Sequence, residues 1–120
     1  MSRGIGAGAG RRTSNRESAL IQKDAVSGVD SKESCLLDVI WPPNATTGRH
    51  LHFGDEYGEV IEDELQLAVD GQSLKTVKAG QSYHNLAGVV HETKNVSGAP
   101  ARGITVLIID KGQPVTEPVK

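Results

Sequence analysis

From about residue 34 onward the chain alternates short apolar runs with turn residues. Ser34 to Trp41 (SCLLDVIW) is the first run, and Pro42-Pro43-Asn44 ends it. Tyr57 to Glu62 and Glu64 to Val69 are two runs meeting at Glu62-Asp63. In the second, Leu65, Leu67 and Val69 alternate with Gln66 and Ala68, the period of a strand with one face turned inward. Asp70-Gly71 is a hairpin signal, Leu74 to Lys78 returns, and Ala79-Gly80 turns again. Ile104 to Asp110 (ITVLIID) is mostly β-branched and reads as a central strand. No segment carries a helical period. Strands this short and closely spaced predict an all-β sandwich or barrel.

The first 20 residues break this pattern. They are rich in Gly and Arg and lack any periodicity, so the sequence predicts a flexible tail over 1–20 and one folded domain over 21–120. No targeting segment is evident, which puts the expected location in the cytoplasm. Gly112 to Lys120, with Pro114 and Pro118, reads as an extended cap or a loose tail.

Composition narrows the function classes. The chain has 120 residues, 13 Lys and Arg against 15 Asp and Glu, and four aromatic residues. Arg3, Arg11, Arg12 and Arg16 lie in the first 17 residues, opposed only by Glu17. The remainder therefore has 9 basic and 14 acidic residues. An acidic body with so few rings suits neither a phosphate backbone nor base stacking, so no nucleic-acid partner is expected. No apolar run approaches the roughly 20 residues of a membrane-spanning helix. Cys35 is the lone cysteine, which excludes an internal disulfide and a multi-cysteine zinc module. In an apolar strand it reads as a small buried hydrophobe.

The histidines carry the chemistry. His50 and His52 are two positions apart, so on a strand both imidazoles leave one face. Glu56 follows at a further even step. Two imidazoles and a carboxylate on one wall form a mixed nitrogen and oxygen metal site. A third imidazole must come from elsewhere, and His91, beyond the Asp70-Gly71 hairpin, is the candidate. His84 matches no ligand position. It is open to three readings: a partner of a ligand, an acid or base in the cavity, or an outward polar residue.

These residues resemble the two motifs of the cupin superfamily. The first motif is a Gly, five residues, His-x-His, three or four residues, Glu, six residues and a Gly. Here it reads Asn44, His50-Leu51-His52, Glu56 and Asp63. Both glycines are replaced, by two residue types that tolerate a left-handed backbone. The second is a Gly, five residues, Pro-x-Gly, two residues, His, three residues and an Asn. Here it reads Gly80, Leu86-Ala87-Gly88, His91 and Asn95, with only the proline changed. The chain is most similar to the small quercetin-dioxygenase-like cupins.

The resemblance implies a jelly-roll β-barrel binding one divalent metal ion through His50, His52, Glu56 and His91. Fe, Mn, Ni, Cu and Zn are not distinguished by such a donor set. It also implies a small-molecule ligand or substrate and a homodimer, with an edge strand near residues 20–40 available for pairing. Four protein ligands leave an octahedral ion open positions for an oxygen ligand, alone or with dioxygen. Three activities fit: a metal-dependent oxidoreductase of the dioxygenase type, an isomerase, or a non-catalytic binding and sensing module. Trp41, Phe53, Tyr57 and Tyr83 are candidate cavity walls. His84 and Glu59 are the remaining titratable candidates near the site.

Overall fold

The structure, a computed structural model, describes residues 4–5 and 15–120. Eleven strands run in chain order: β1 (Gly4–Ile5), β2 (Glu17–Val26), β3 (Val29–Trp41), β4 (His50–Leu51), β5 (Gly54–Glu62), β6 (Glu64–Val69), β7 (Lys75–Lys78), β8 (Ser82–Asn85), β9 (His91–Lys94), β10 (Ala101–Asp110) and β11 (Glu117–Pro118). They form two antiparallel sheets, ordered β1-β2-β3-β10-β5-β8 and β11-β4-β9-β6-β7. This is the expected all-β jelly roll, built as two facing layers rather than one closed ring of hydrogen bonds. The described residues contain no helix long and apolar enough to cross a membrane.

The apolar alternation read from the sequence forms the interior. Leu37, Val39 and Trp41 of β3 face Leu65, Leu67 and Val69 of β6, joined by Val60, Val77, Leu107 and Ile109. Cys35 is free and buried among them, as expected of a small hydrophobe. β10 pairs along its length with both β3 and β5, which explains its near-continuous apolar sequence.

Asn44 and Asp63 both adopt left-handed backbone, with φ of 67° and 63°. The two motif positions that lost their glycines thus keep the turn geometry glycine would supply. Asn95 locks the same corner. Its amide donates to the carbonyls of Trp41 and Ala99 at 2.9 and 2.8 Å, and the Asn44 N–H donates to its carbonyl oxygen.

One boundary expectation changes. β2 opens at Glu17, so residues 17–20 belong to a strand rather than to the tail. Residues 1–3 and 6–14 of that tail lie outside the described residues. The expected edge near residues 20–40 falls on β2: β3 lies between β2 and β10, while β1 covers only Glu17 and Ser18, so among the described residues the rest of β2 has no neighbour on its outer side. At the other terminus Gly112 to Lys120 is a cap. β11 pairs with β4, and the Val119 N–H donates to the Arg49 carbonyl at 3.0 Å.

Candidate metal centre

The three imidazoles converge between the two sheets. β4 and β9 are neighbours, and His50 sits directly opposite His91. His91 also lies opposite Val69 of β6, where the Asp70-Gly71 turn returns the chain as the sequence indicated. His52 follows β4, and its carbonyl accepts the Gly88 N–H at 2.9 Å, so the two motifs are stitched together through the backbone. Glu56 comes from β5, in the opposite sheet. The expectation of one shared wall is therefore corrected: the chain changes sheets between His52 and Gly54, and the carboxylate meets the imidazoles from across the interior. The crossing is tight. A Cβ on Gly54 would lie 1.7 Å from the Ile108 carbonyl oxygen.

His50, His52, Glu56 and His91 are all buried. One ring nitrogen from each histidine lies within 4.8 Å of those of the other two. The Glu56 Oε1 is 3.2 Å from His91 Nε2 and 3.6 Å from His52 Nε2. Asn85 donates to that same oxygen at 2.8 Å.

The hydrogen bonds set the tautomers. Nδ1 of His50, His52 and His91 faces the carbonyls of Gly48, Val115 and Val89 at 2.8, 2.7 and 3.2 Å. A carbonyl can only accept, so each Nδ1 carries a proton, and the neutral form of each ring turns the lone pair of Nε2 inward. Burial, reinforced by the neighbouring His91, pushes His50 down to about 4, so this ring is neutral near pH 7. Burial pushes the Glu56 carboxyl up, and the His52 and His91 rings outweigh it, holding the group well below the usual carboxylate range, only where their Nε2 atoms are also protonated. A lone pair facing a carboxylate oxygen at 3.2 Å repels it unless a cation stands between them. His52 Nε2 is moreover buried without a hydrogen-bond partner among the described residues. The donor set thus fits a divalent ion in charge, ligand type and unmet demand.

A cavity of about 30 Å³ opens beside these groups. Trp41 and Tyr83 line it, as the sequence suggested, together with His50, His52 and Glu56. Tyr83 lies across β5 because its partner there is Gly58, where a Cβ would come within 2.3 Å of the ring. Its hydroxyl is 2.9 Å from Thr105 Oγ1, and burial raises its phenol above the ordinary value, so it stays protonated.

Phe53 and Tyr57 do not line the cavity, and this corrects their assignment. Glu56 and Gly58 point inward along β5, so the odd positions between them point out. Tyr57 is about half exposed and stacks on His84, with ring centroids 4.2 Å apart. Phe53 is half-buried one step before β5. His84 and Glu59 also face outward, which removes both as acid or base in the cavity. His84 Nε2 instead meets Asp55 Oδ2 at 2.9 Å, and this contact holds the Asp55 carboxyl below its ordinary value.

Sequence reasoning missed Arg16, Thr47, Thr93, Thr105 and Thr116, all of which line the cavity. Thr93 and Thr105 had a usable signal, since each sits at an inward step of its strand. Arg16 had none, lying in a stretch whose composition reads as tail.

A family model described as "Cupin domain" matches residues 37–107. The HTH-type transcriptional regulator PuuR of Escherichia coli strain K12 is 34% identical over 80 residues, covering 66% of this chain and 43% of the regulator. The Shigella flexneri counterpart matches equally, so the chain spans less than half the length of the curated relatives it matches. Among solved structures, a cupin-like protein of Thermotoga maritima superposes with a TM-score of 0.74 at 19% identity, covering 99% of this chain and 86% of that one. An oxalate oxidase in complex with the substrate analogue glycolate gives a TM-score of 0.64 at 22% identity, covering 72% and 46%.

Proposed function

The chain belongs to the cupin domain family, and on that footing we propose that His50, His52, His91 and Glu56 hold one divalent metal ion. We propose further that the protein acts as a metal-dependent oxidoreductase, dioxygenase-like, on a small oxygenated molecule. The observation that carries this reading is the inward turn of three Nε2 lone pairs toward one buried carboxylate, an arrangement that a cation relieves. When bound, such an ion supplies Lewis-acid and oxygen-activating chemistry. The chain's own residues supply the rest. Carbonyls of Gly48, Val115 and Val89 orient the imidazoles, Asn85 fixes the carboxylate, and the Tyr83 hydroxyl keeps its proton beside Thr105. The oxalate oxidase likeness lends the fold precedent for a small acid beside such a scaffold.

A second reading rests on the PuuR likeness: a sensing module that retains its ligand without converting it. One experiment separates the two. Protein purified without chelator is assayed for bound metal by elemental analysis and for oxygen uptake with flavonol, diketone and hydroxy-acid panels. Stoichiometric metal with turnover supports the oxidoreductase. Stoichiometric metal with ligand retention and no turnover supports the sensor, and turnover without oxygen uptake points to an isomerase. Metal that stays substoichiometric after replenishment overturns the site itself.

The homodimer remains part of the proposal. Leu36 and Ile40 of β3 and Ile104, Val106 and Ile108 of β10 are half-buried on the outward strand positions, an apolar face suited to a second copy. Light scattering giving a monomer mass at micromolar concentration would remove it.

A further inference from the structure

Two aromatic side chains pack over glycines around one threonine of the six-stranded sheet. Tyr83 packs over Gly58, the cross-strand partner of Thr105, and its hydroxyl is 2.9 Å from Thr105 Oγ1. Trp41 packs over Gly103, two positions before Thr105 on the same inward face of β10, where a Cβ would stand 3.5 Å from its ring. Glu56 is two positions before Gly58 on the inward face of β5, and Trp41, Tyr83 and Thr105 all line the cavity beside it. The donors here outnumber the acceptors. Two hydroxyls carry two protons and share one hydrogen bond, so whichever of them donates, one O–H is left over. Neither hydroxyl makes a second hydrogen bond among the described residues. The Trp41 indole N–H can only donate, and it too is buried without a partner among them. Buried donors left unmet cost free energy, which an acceptor atom in the cavity relieves.

We propose that the Tyr83–Thr105 hydroxyl pair is a specificity-determining donor, which hydrogen-bonds a carbonyl or carboxylate oxygen of a small molecule held in this cavity. The inference rests on the metal reading above and names the ligand chemistry, an acceptor oxygen facing neutral donors. Because the donors are uncharged, they select for the acceptor atom rather than for net charge. An analogue with a methylene in place of that oxygen leaves the spare O–H unpaired, and the discrimination comes from that loss. Burial raises the Tyr83 phenol above its ordinary value, so the pair keeps both protons across the neutral range. The cavity is about 30 Å³, which favours a ligand of few heavy atoms.

Isothermal titration tests this with the full chain, first loaded to measured metal stoichiometry. The probes are pyruvate and methacrylate, which share shape and charge but differ in a carbonyl oxygen against a methylene. Any preference that the metal itself has for the carbonyl is common to every variant, so a change in the ratio of the two affinities reads the hydroxyl pair. Y83F/T105V is expected to narrow the preference for pyruvate by about threefold to tenfold at unchanged metal content. Of the single variants Y83F and T105V, the one that carries the loss identifies the hydroxyl facing the ligand, and T105S keeps the wild-type ratio. A double variant whose ratio stays within about twofold of wild type overturns the proposal, including the case in which both probes weaken equally and Tyr83 only packs. No measurable binding of pyruvate to loaded wild type overturns it as well. If the double variant does not fold, the single variants decide, and loss in neither overturns the proposal. Metal content is read before any probe is added, so failure of the metal reading is recognised separately. In that case the same titrations on metal-free chain decide: a ratio that Y83F/T105V narrows keeps the hydroxyl pair, and an unchanged ratio or no binding discards it.

Discussion

Acidification should strike the imidazole cluster first, and His50 makes the effect calculable. The folded chain keeps this ring neutral down to about pH 4, whereas an unfolded chain takes up the proton near the ordinary 6.5. Between those values the unfolded state binds more protons, so stability is complete above about pH 6.5 and is lost as pH falls toward 4. Each pH unit of that gap corresponds to about 1.4 kcal/mol, so His50 alone accounts for roughly 3 kcal/mol between pH 7.5 and pH 4. The cause is desolvation first and electrostatics second: the ring is buried, and a second imidazole, His91, faces it with centroids 4.2 Å apart. The assay is urea denaturation of chelator-treated protein at pH 7.5, 5.5 and 4.0, for wild type and H50Q. H50Q is expected to start less stable and to have a shallower pH profile, the two curves approaching by roughly 3 kcal/mol across the range. Glu56, held low in the fold where the His52 and His91 rings are charged, adds acid sensitivity of the same sign to both proteins below the ordinary carboxylate range, so it does not separate them. Parallel profiles for wild type and H50Q would refute the reasoning.

Three further outcomes are expected. L107A removes a side chain that is 1% exposed at the centre of β10 and should cost about 2–5 kcal/mol in denaturant melts, with the spread set by how far the site collapses. G58A places a Cβ against the Tyr83 ring. It should cost about 1–3 kcal/mol and shift the near-ultraviolet tyrosine circular-dichroism signal, and an unchanged spectrum would contradict the packing of Tyr83 over β5. H84A touches only the outward Asp55 and Tyr57 contacts, so metal stoichiometry should equal wild type and stability should change by no more than about 0.5 kcal/mol; loss of metal would place His84 in the site after all.

How much of this was legible depended on the distance over which each signal is written. The spacing of His50, His52, Glu56 and His91 is short and even-stepped, and those four side chains are the ones that converge. Asn44 and Asp63 were readable because the demand on them is local, a left-handed backbone at one residue. The change of sheet between His52 and Gly54 was not readable. Parity alone cannot distinguish one straight wall from two walls meeting, and the tight passage at Gly54 depends on Ile108, more than fifty positions away.

The errors at Phe53 and Tyr57 have the same root. Scarce aromatic residues near a motif look like cavity walls, yet parity along β5 decides their side, and Glu56 had already claimed the inward one. Applied consistently, the alternation that selected the metal ligands would have turned Tyr57 and Glu59 outward. Arg16 is the opposite case. Its neighbours in sequence say only "tail", and its place on the cavity wall follows from pairing of β2 with β3, whose register sets Glu17 against Ile40 and Ser18 against Val39. The residues of a candidate metal centre can therefore be written within two short motifs, while the wall around them is completed from strands whose positions are fixed only once the sheet has assembled.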